Sequence, residues 1–119
     1  MQTMAESPSV SQHFEGKDPI VKSIYARILK EARKFGPVIE EPKKTSIHLV
    51  NKSAFAGVAT RKNALILNVK STAPIKDARF PKSEKVSASR FHQEVKLLSV
   101  EDVDGALIGW LNEAYALSA

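Results

Sequence analysis

His48 and His92 each lie in a segment where apolar and polar residues alternate, and Glu94 follows His92 by two residues. On an extended chain the side chains of residues i and i+2 point the same way. An imidazole and a carboxylate so placed can exchange protons with a substrate, the chemistry of a small hydrolase or transferase. The remaining histidine, His13, stands far from both in the sequence, and the chain has no cysteine. No third ligand therefore has metal-site spacing, and neither a metal nor a cofactor is expected. No nucleophile elbow of the form G-x-S-x-G is present, so no catalytic residue is assigned.

A second chemistry is offered by cations. The stretch from Glu41 to Lys76 has no acidic residue after Glu41, yet it holds Lys43, Lys44, Lys52, Arg61, Lys62, Lys70 and Lys76. Clustered positive charge concentrates anions and gains from counterion release when a phosphate-bearing ligand binds. Lys44, His48, Arg61, Arg90 and His92 are the expected contact residues. Arginine supplies bidentate contacts to phosphate or carboxylate, lysine a point charge, and neutral histidine one donor. The competing reading is that lysines simply keep the wet face of a small sheet solvated and block edge pairing.

The whole-chain charge is +5, divided between +9 over residues 1–96 and −4 over residues 97–119. An anionic partner is favoured by that asymmetry, and nucleic acid is one such anion. Single-strand binders need aromatic platforms on an open face. Of eight aromatic residues, Tyr25, Phe35, Phe55, Phe91 and Trp110 fall at core-facing positions, and Phe14, Phe80 and Tyr115 lie outside the strands. Glu101, Asp102 and Asp104 form an acidic cluster whose simplest role is at a helix N-terminus, where negative charge is stabilised by about 0.3–1 kcal/mol each.

Elements to position these residues are readable in order. Met1 to Gln12 is poor in large apolar residues and is expected to be a disordered tail, leaving residues 13–119 as a single domain. Asp18 and Pro19 open a helix, Val21, Ile24, Ile28, Ala32 and Phe35 give it an apolar stripe, and Gly36–Pro37 stop it. Short strands follow: a brief one at Val38–Ile39, then "TSIHLV", "AFAGVAT" and "ALILNVK", separated by the turns "NKS" and "RKN". Gly57 within "AFAGVAT" hints at a bulge or a close backbone approach. Ser71 to Ser87 has no clear period and is expected to be a long loop, able to act as a flap. "RFHQEVKLL" is the last strand. Ser99 is the expected N-cap of a second helix, with Asp102 completing an approximate capping box and Leu98 stapling onto Val103. The fold class is thus α+β: a helix, a four- to five-stranded antiparallel meander, and a helix, both helices on one sheet face. The other face is left for water or a partner.

Two stretches together resemble a known family. They are "EPKKTSIHLVNKSAFAGV", after a helix ending in "FGP", and "FHQEVKLLSVEDVDGALIGWLNEAYALS". They are similar to a bacterial family of small domains of unknown function, sometimes labelled a predicted transport protein. The resemblance spans about His13 to Ala116, and is most specific in S-x-E-D-V-D followed by W-L-x-x-A-Y, then in Lys44–Thr45. It implies an α+β domain that occurs alone or appended to others, nuclease-like ones included, with no established reaction. Such use suits an accessory or binding module. The transport label finds no counterpart in the residues, which contain neither an apolar span of membrane length nor a basic-then-apolar start. The expected location is therefore cytoplasmic, with no membrane partner. An anionic ligand, nucleic acid, a protein partner or a second copy paired through sheet edges are the partner classes the sequence leaves open.

Overall fold

The computed structural model describes residues 9–72, 82–87 and 90–118. Six strands form one sheet: β1 (Ile39–Pro42), β2 (Ile47–Val50), β3 (Ala54–Thr60), β4 (Leu65–Ser71), β5 (Lys82–Ser87) and β6 (Arg90–Leu97). Their order across the sheet is β1-β2-β3-β4-β6-β5, and every neighbouring pair is antiparallel. Helices α1 (Pro19–Ala32) and α2 (Gly105–Leu117) flank the strands in sequence. The architecture is α+β in the order helix, sheet, helix.

One face of the sheet carries Ile47, Leu49, Val58, Leu65, Leu67, Val95 and Leu97, each buried to within 1% of full. These residues join Val21, Ile24 and Ile28 of α1 and Leu107, Leu111 and Ala114 of α2 in a single core. Among the described residues no helix lies on the opposite face, the usual result when one side of an antiparallel sheet is covered.

Local chemistry explains most of the element ends. Asp18 accepts the Ile20 N–H at 3.0 Å, Pro19 fills the first helical position, and the Asp18 N–H donates to the Lys62 carbonyl at 2.7 Å. The start of α1 is thereby tied to the β3–β4 turn. Four residues of the stretch read as a tail are described: Val10 packs against the core, and a 3-10 turn runs over Ser11–Phe14. Phe14 stacks on Tyr25 with ring centroids 5.2 Å apart. Tyr115, placed outside the core by the sequence, is buried against Phe35 and Phe55. Phe91, placed in it, is only half-buried.

Two further expectations need correction. The end of the anticipated loop is strand: Lys82–Ser87 pairs along β6 as the outer edge of the sheet, and Ser71 at its start still belongs to β4. "KSEKVS" lacks apolar alternation because an edge strand rich in lysine discourages further pairing and need not bury a face. Residues 73–81 of the proposed flap lie outside the described residues. The sheet accordingly has six strands rather than four or five.

The second correction concerns α2, which does not begin at Ser99. Ser99 precedes a 3-10 turn over Val100–Asp102, and the Asp102 carboxylate receives the N–H groups of Leu98 and Ser99 at 2.8 and 3.1 Å. Val103 then leaves helical geometry (φ −85°, ψ 73°), and its side chain is buried. The true N-cap is Asp104, whose side chain accepts the Leu107 N–H at 3.0 Å. Breaking the helix at Val103 lets that side chain reach the core. Leu98 stays 57% exposed, so the expected staple does not form.

Candidate functional site

Strand β3 makes the site by what it omits. Between β2 and β3 the register shifts: Leu49 pairs with Ala56, but Val50 pairs with Ala54. Phe55 is left over, a bulge that puts two residues opposite one. Phe55 and Ala56 are buried in succession, and the Phe55 ring meets Tyr115 at 5.1 Å. Ala54, Gly57 and Ala59 then remain for the uncovered face. The central strand therefore presents nothing larger than a methyl group there.

Larger residues rise on both sides. His48 pairs with Gly57 on one flank, and Gly57 with Asn68 on the other. The row continues from Asn68 to Glu94 on β6. One step along, Lys70 pairs with His92. With strands about 4.8 Å apart, the walls on β2 and β4 stand about 9.6 Å apart across the bare strand. The result is a half-open groove of about 290 Å³. Ser46 and His48 line its β2 wall, Ile66, Asn68 and Lys70 its β4 wall, and His92 and Glu94 extend it onto β6. Arg61 stands at the end nearest the β3–β4 turn.

Gly57 does not owe its place to backbone conformation, since its φ is not positive. A Cβ added there would lie 3.9 Å from both the His48 ring and the Asn68 Cβ. Glycine inside a strand costs about 0.5–1 kcal/mol relative to alanine. The bulge anticipated at Gly57 falls instead at Phe55, and the close approach becomes an open slot.

Four of the polar groups of this groove are uncommitted. Among the described residues, the side chains of His48, Asn68, His92 and Glu94 form no hydrogen bond or ion pair. Acids and bases pair elsewhere: Arg27 and Lys34 with Glu31 at 3.4 and 3.1 Å, Arg33 with Glu40 at 3.5 Å, Lys43 with Glu41 at 3.6 Å. Lys70 donates to the hydroxyls of Ser118 and Ser53 at 2.8 and 3.4 Å, and no carboxylate pairs with it among the described residues. Burial, and then the positive charge of Arg90, hold its ammonium below the ordinary lysine value.

Of the five residues singled out from sequence, three line the groove: His48, Arg61 and His92. Lys44 is exposed in the β1–β2 turn, away from it. Arg90 opens β6 without lining the groove, but lies near enough to Lys70 to repel its charge. Lys70, Asn68 and Glu94 complete the site. Their signal was present in the alternation of "ALILNVK" and "RFHQEVKLL", but register was needed to set them opposite Gly57. For acid–base chemistry, His92 and Glu94 do share the groove, yet His92 is exposed. Among the described residues no group of three or more side chains could hold a metal ion, and no helix is long and apolar enough to cross a membrane.

Comparison with known proteins identifies the chain's relatives but not their chemistry. The model of a family described as a domain of unknown function, DUF5655, matches residues 10–118, and the chain belongs to that family. No curated protein and no solved structure matches it.

Proposed function

We propose that this is a soluble, non-enzymatic accessory domain that binds a small phosphate-bearing anion in the groove of its open sheet face. The carrying observation is a strand that shows nothing larger than a methyl group, set between walls on which His48, Asn68, His92 and Glu94 have no side-chain partner among the described residues. Lys70 supports it most directly: a partly desolvated ammonium held by hydroxyls attracts an anion, and among the described residues no carboxylate pairs with it. Arg61, His48 and His92 add donors around the same space. A cytoplasmic setting, bacterial origin and use as an appended module belong to this reading as implications of the family resemblance.

Nucleic acid fits the groove less well, because the open face offers two imidazoles in place of aromatic platforms. A protein-binding patch has little support: exposed Ile39 and Val86 sit on opposite edge strands, with Leu98 beyond the end of β6.

The test is an amide NMR titration of the labelled protein, 13.1 kDa, with pyrophosphate and with a mixed short oligonucleotide, each at low and high salt. Shifts centred on His48, Gly57, Asn68 and His92, weakened by salt, are expected with pyrophosphate. A spectrum that moves with neither probe refutes the reading.

A further inference from the structure

Cross-strand register fixes how much charge the groove holds. The row through Lys70 and His92 continues to Glu84 on β5, and the row His48–Gly57–Asn68–Glu94 continues to Lys82. At the other edge, Glu41 stands opposite His48 and is paired with Lys43 at 3.6 Å. The edges therefore bring charges that cancel, Lys82 against Glu84 and Lys43 against Glu41. Within the lining, Lys70 and Arg61 supply two positive charges and Glu94 one negative. With neutral imidazoles the groove is left at +1, a weak pull on an anion beside water. With His48 and His92 both protonated it stands at +3. The two histidines decide the charge of this site.

We propose that anion binding in this groove is proton-coupled, His92 and His48 taking up protons as the anion enters and releasing them as it leaves. This rests on the anion-binding reading above. Between about pH 5 and 8 imidazole is the side chain that changes charge. Among the described residues neither ring has a side-chain partner, so both can turn their donors to a ligand. His92 has the larger part. It stands directly opposite Lys70, and such pairs place their Cβ atoms about 4.5–5.5 Å apart, so one anion can accept from ammonium and imidazolium together. Lys70 and Arg90 oppose a proton on His92, whereas Glu94 on its own strand and Glu84 in register across the ladder favour one. An anion between Lys70 and His92 removes the opposition. By linkage, the proton that tightens the anion is then itself held more tightly. His48 faces Glu41 from β1 and bare Gly57 from β3, and lies three strand spacings from β6, about 14 Å. That exceeds the screening length of about 8 Å in physiological salt, so the two imidazolium ions barely repel each other.

Sulfate is the probe, because it stays a dianion across this range and its own charge does not follow pH. The whole labelled chain is titrated with it at about pH 5.5 and about pH 8, at one ionic strength, by calorimetry and amide NMR. Binding is expected to be about tenfold or more tighter at the lower pH, the scale of a neutral hydrogen bond becoming charge-assisted. His92→Gln keeps a donor but cannot take up a charge, and should remove most of that ratio. His48→Gln should remove a smaller part. Sulfate should also make the His92 ring hold its proton to higher pH, while His13, off the groove, titrates as before. Equal affinity at the two pH values overturns the proton coupling and leaves the anion-binding reading standing. A ratio that survives in a folded His48→Gln/His92→Gln double variant overturns the assignment to these imidazoles. Groove resonances unmoved by sulfate at either pH refute the anion-binding reading itself.

Discussion

The Tyr115 hydroxyl occupies the space that a side chain at Gly36 would need. It lies 2.5 Å from the position of a Cβ there and donates to the Pro37 carbonyl at 2.8 Å. Gly36 also has φ +155°, a conformation L side chains rarely adopt. Gly36→Ala is expected to destabilise the protein by about 1–3 kcal/mol. Tyr115→Phe, which loses one hydrogen bond, should cost about 1 kcal/mol. In the double variant the hydroxyl clash is gone, so urea denaturation should show the two costs to be less than additive.

Filling the slot should separate binding from folding. Gly57→Val adds a β-branched residue at a strand position whose nearest neighbours are 3.9 Å from its Cβ, and removes the strand-interior glycine cost of about 0.5–1 kcal/mol. Thermal stability should be unchanged or slightly higher, while pyrophosphate no longer shifts the groove amides. Retained binding in a folded Gly57→Val protein would move the ligand off this face.

Lys70 gives the groove a pH signature. Burial and Arg90 hold its folded-state value below 10.5, so the unfolded chain keeps this proton to higher pH than the folded one. Unfolding in that window takes up a proton, and stability therefore rises with pH as the solution climbs through the depressed folded value toward 10.5. At neutral pH the charged lysine contributes its full unfavourable part. Denaturation at pH 7 and pH 10 should show the parent protein gaining on Lys70→Gln at the higher pH.

The start of α2 can be located by capping energetics. Asp104→Ala is expected to cost about 0.5–2 kcal/mol, the range for losing an N-cap. Ser99→Ala should cost less, because the Asp102 carboxylate receives the Leu98 and Ser99 N–H groups and keeps them after Ser99 is truncated. Thermal melts of the two variants decide between the two starts.

Much of the architecture is legible in residue order, and the reasons differ by element. The Asp18–Pro19 start of α1 and the alternation of Leu65, Leu67 and Val69 in β4 are local signals, and each is realised where it is written. Strand β5 carries no local signal, because an edge strand need not alternate. Ser99 and Asp104 are both good caps, and the choice fell to Val103, whose burial required a break that no local rule contains. Tyr115 joined the core for a tertiary reason: the bulge at Phe55 supplies a ring for it to meet. At the candidate site, composition points to His48, Arg61 and His92, and equally to Lys44, because a charge run does not reveal which members share a face. Asn68 and Glu94 needed the cross-strand register.

The strand order has a consequence for how the groove is held shut. His48, Gly57 and Asn68 come from a meander of three consecutive strands, whereas His92 and Glu94 arrive on a separate hairpin, β5–β6, that docks against β4. The ladder between β4 and β6 is thus a seam running through the groove, and local opening there would divide it. A molecule bridging both sides acts as a clasp, stabilising the closed form in proportion to its occupancy. Amide hydrogen exchange along β4 and β6 should slow when the groove is filled, while exchange between β1 and β2 keeps its rate.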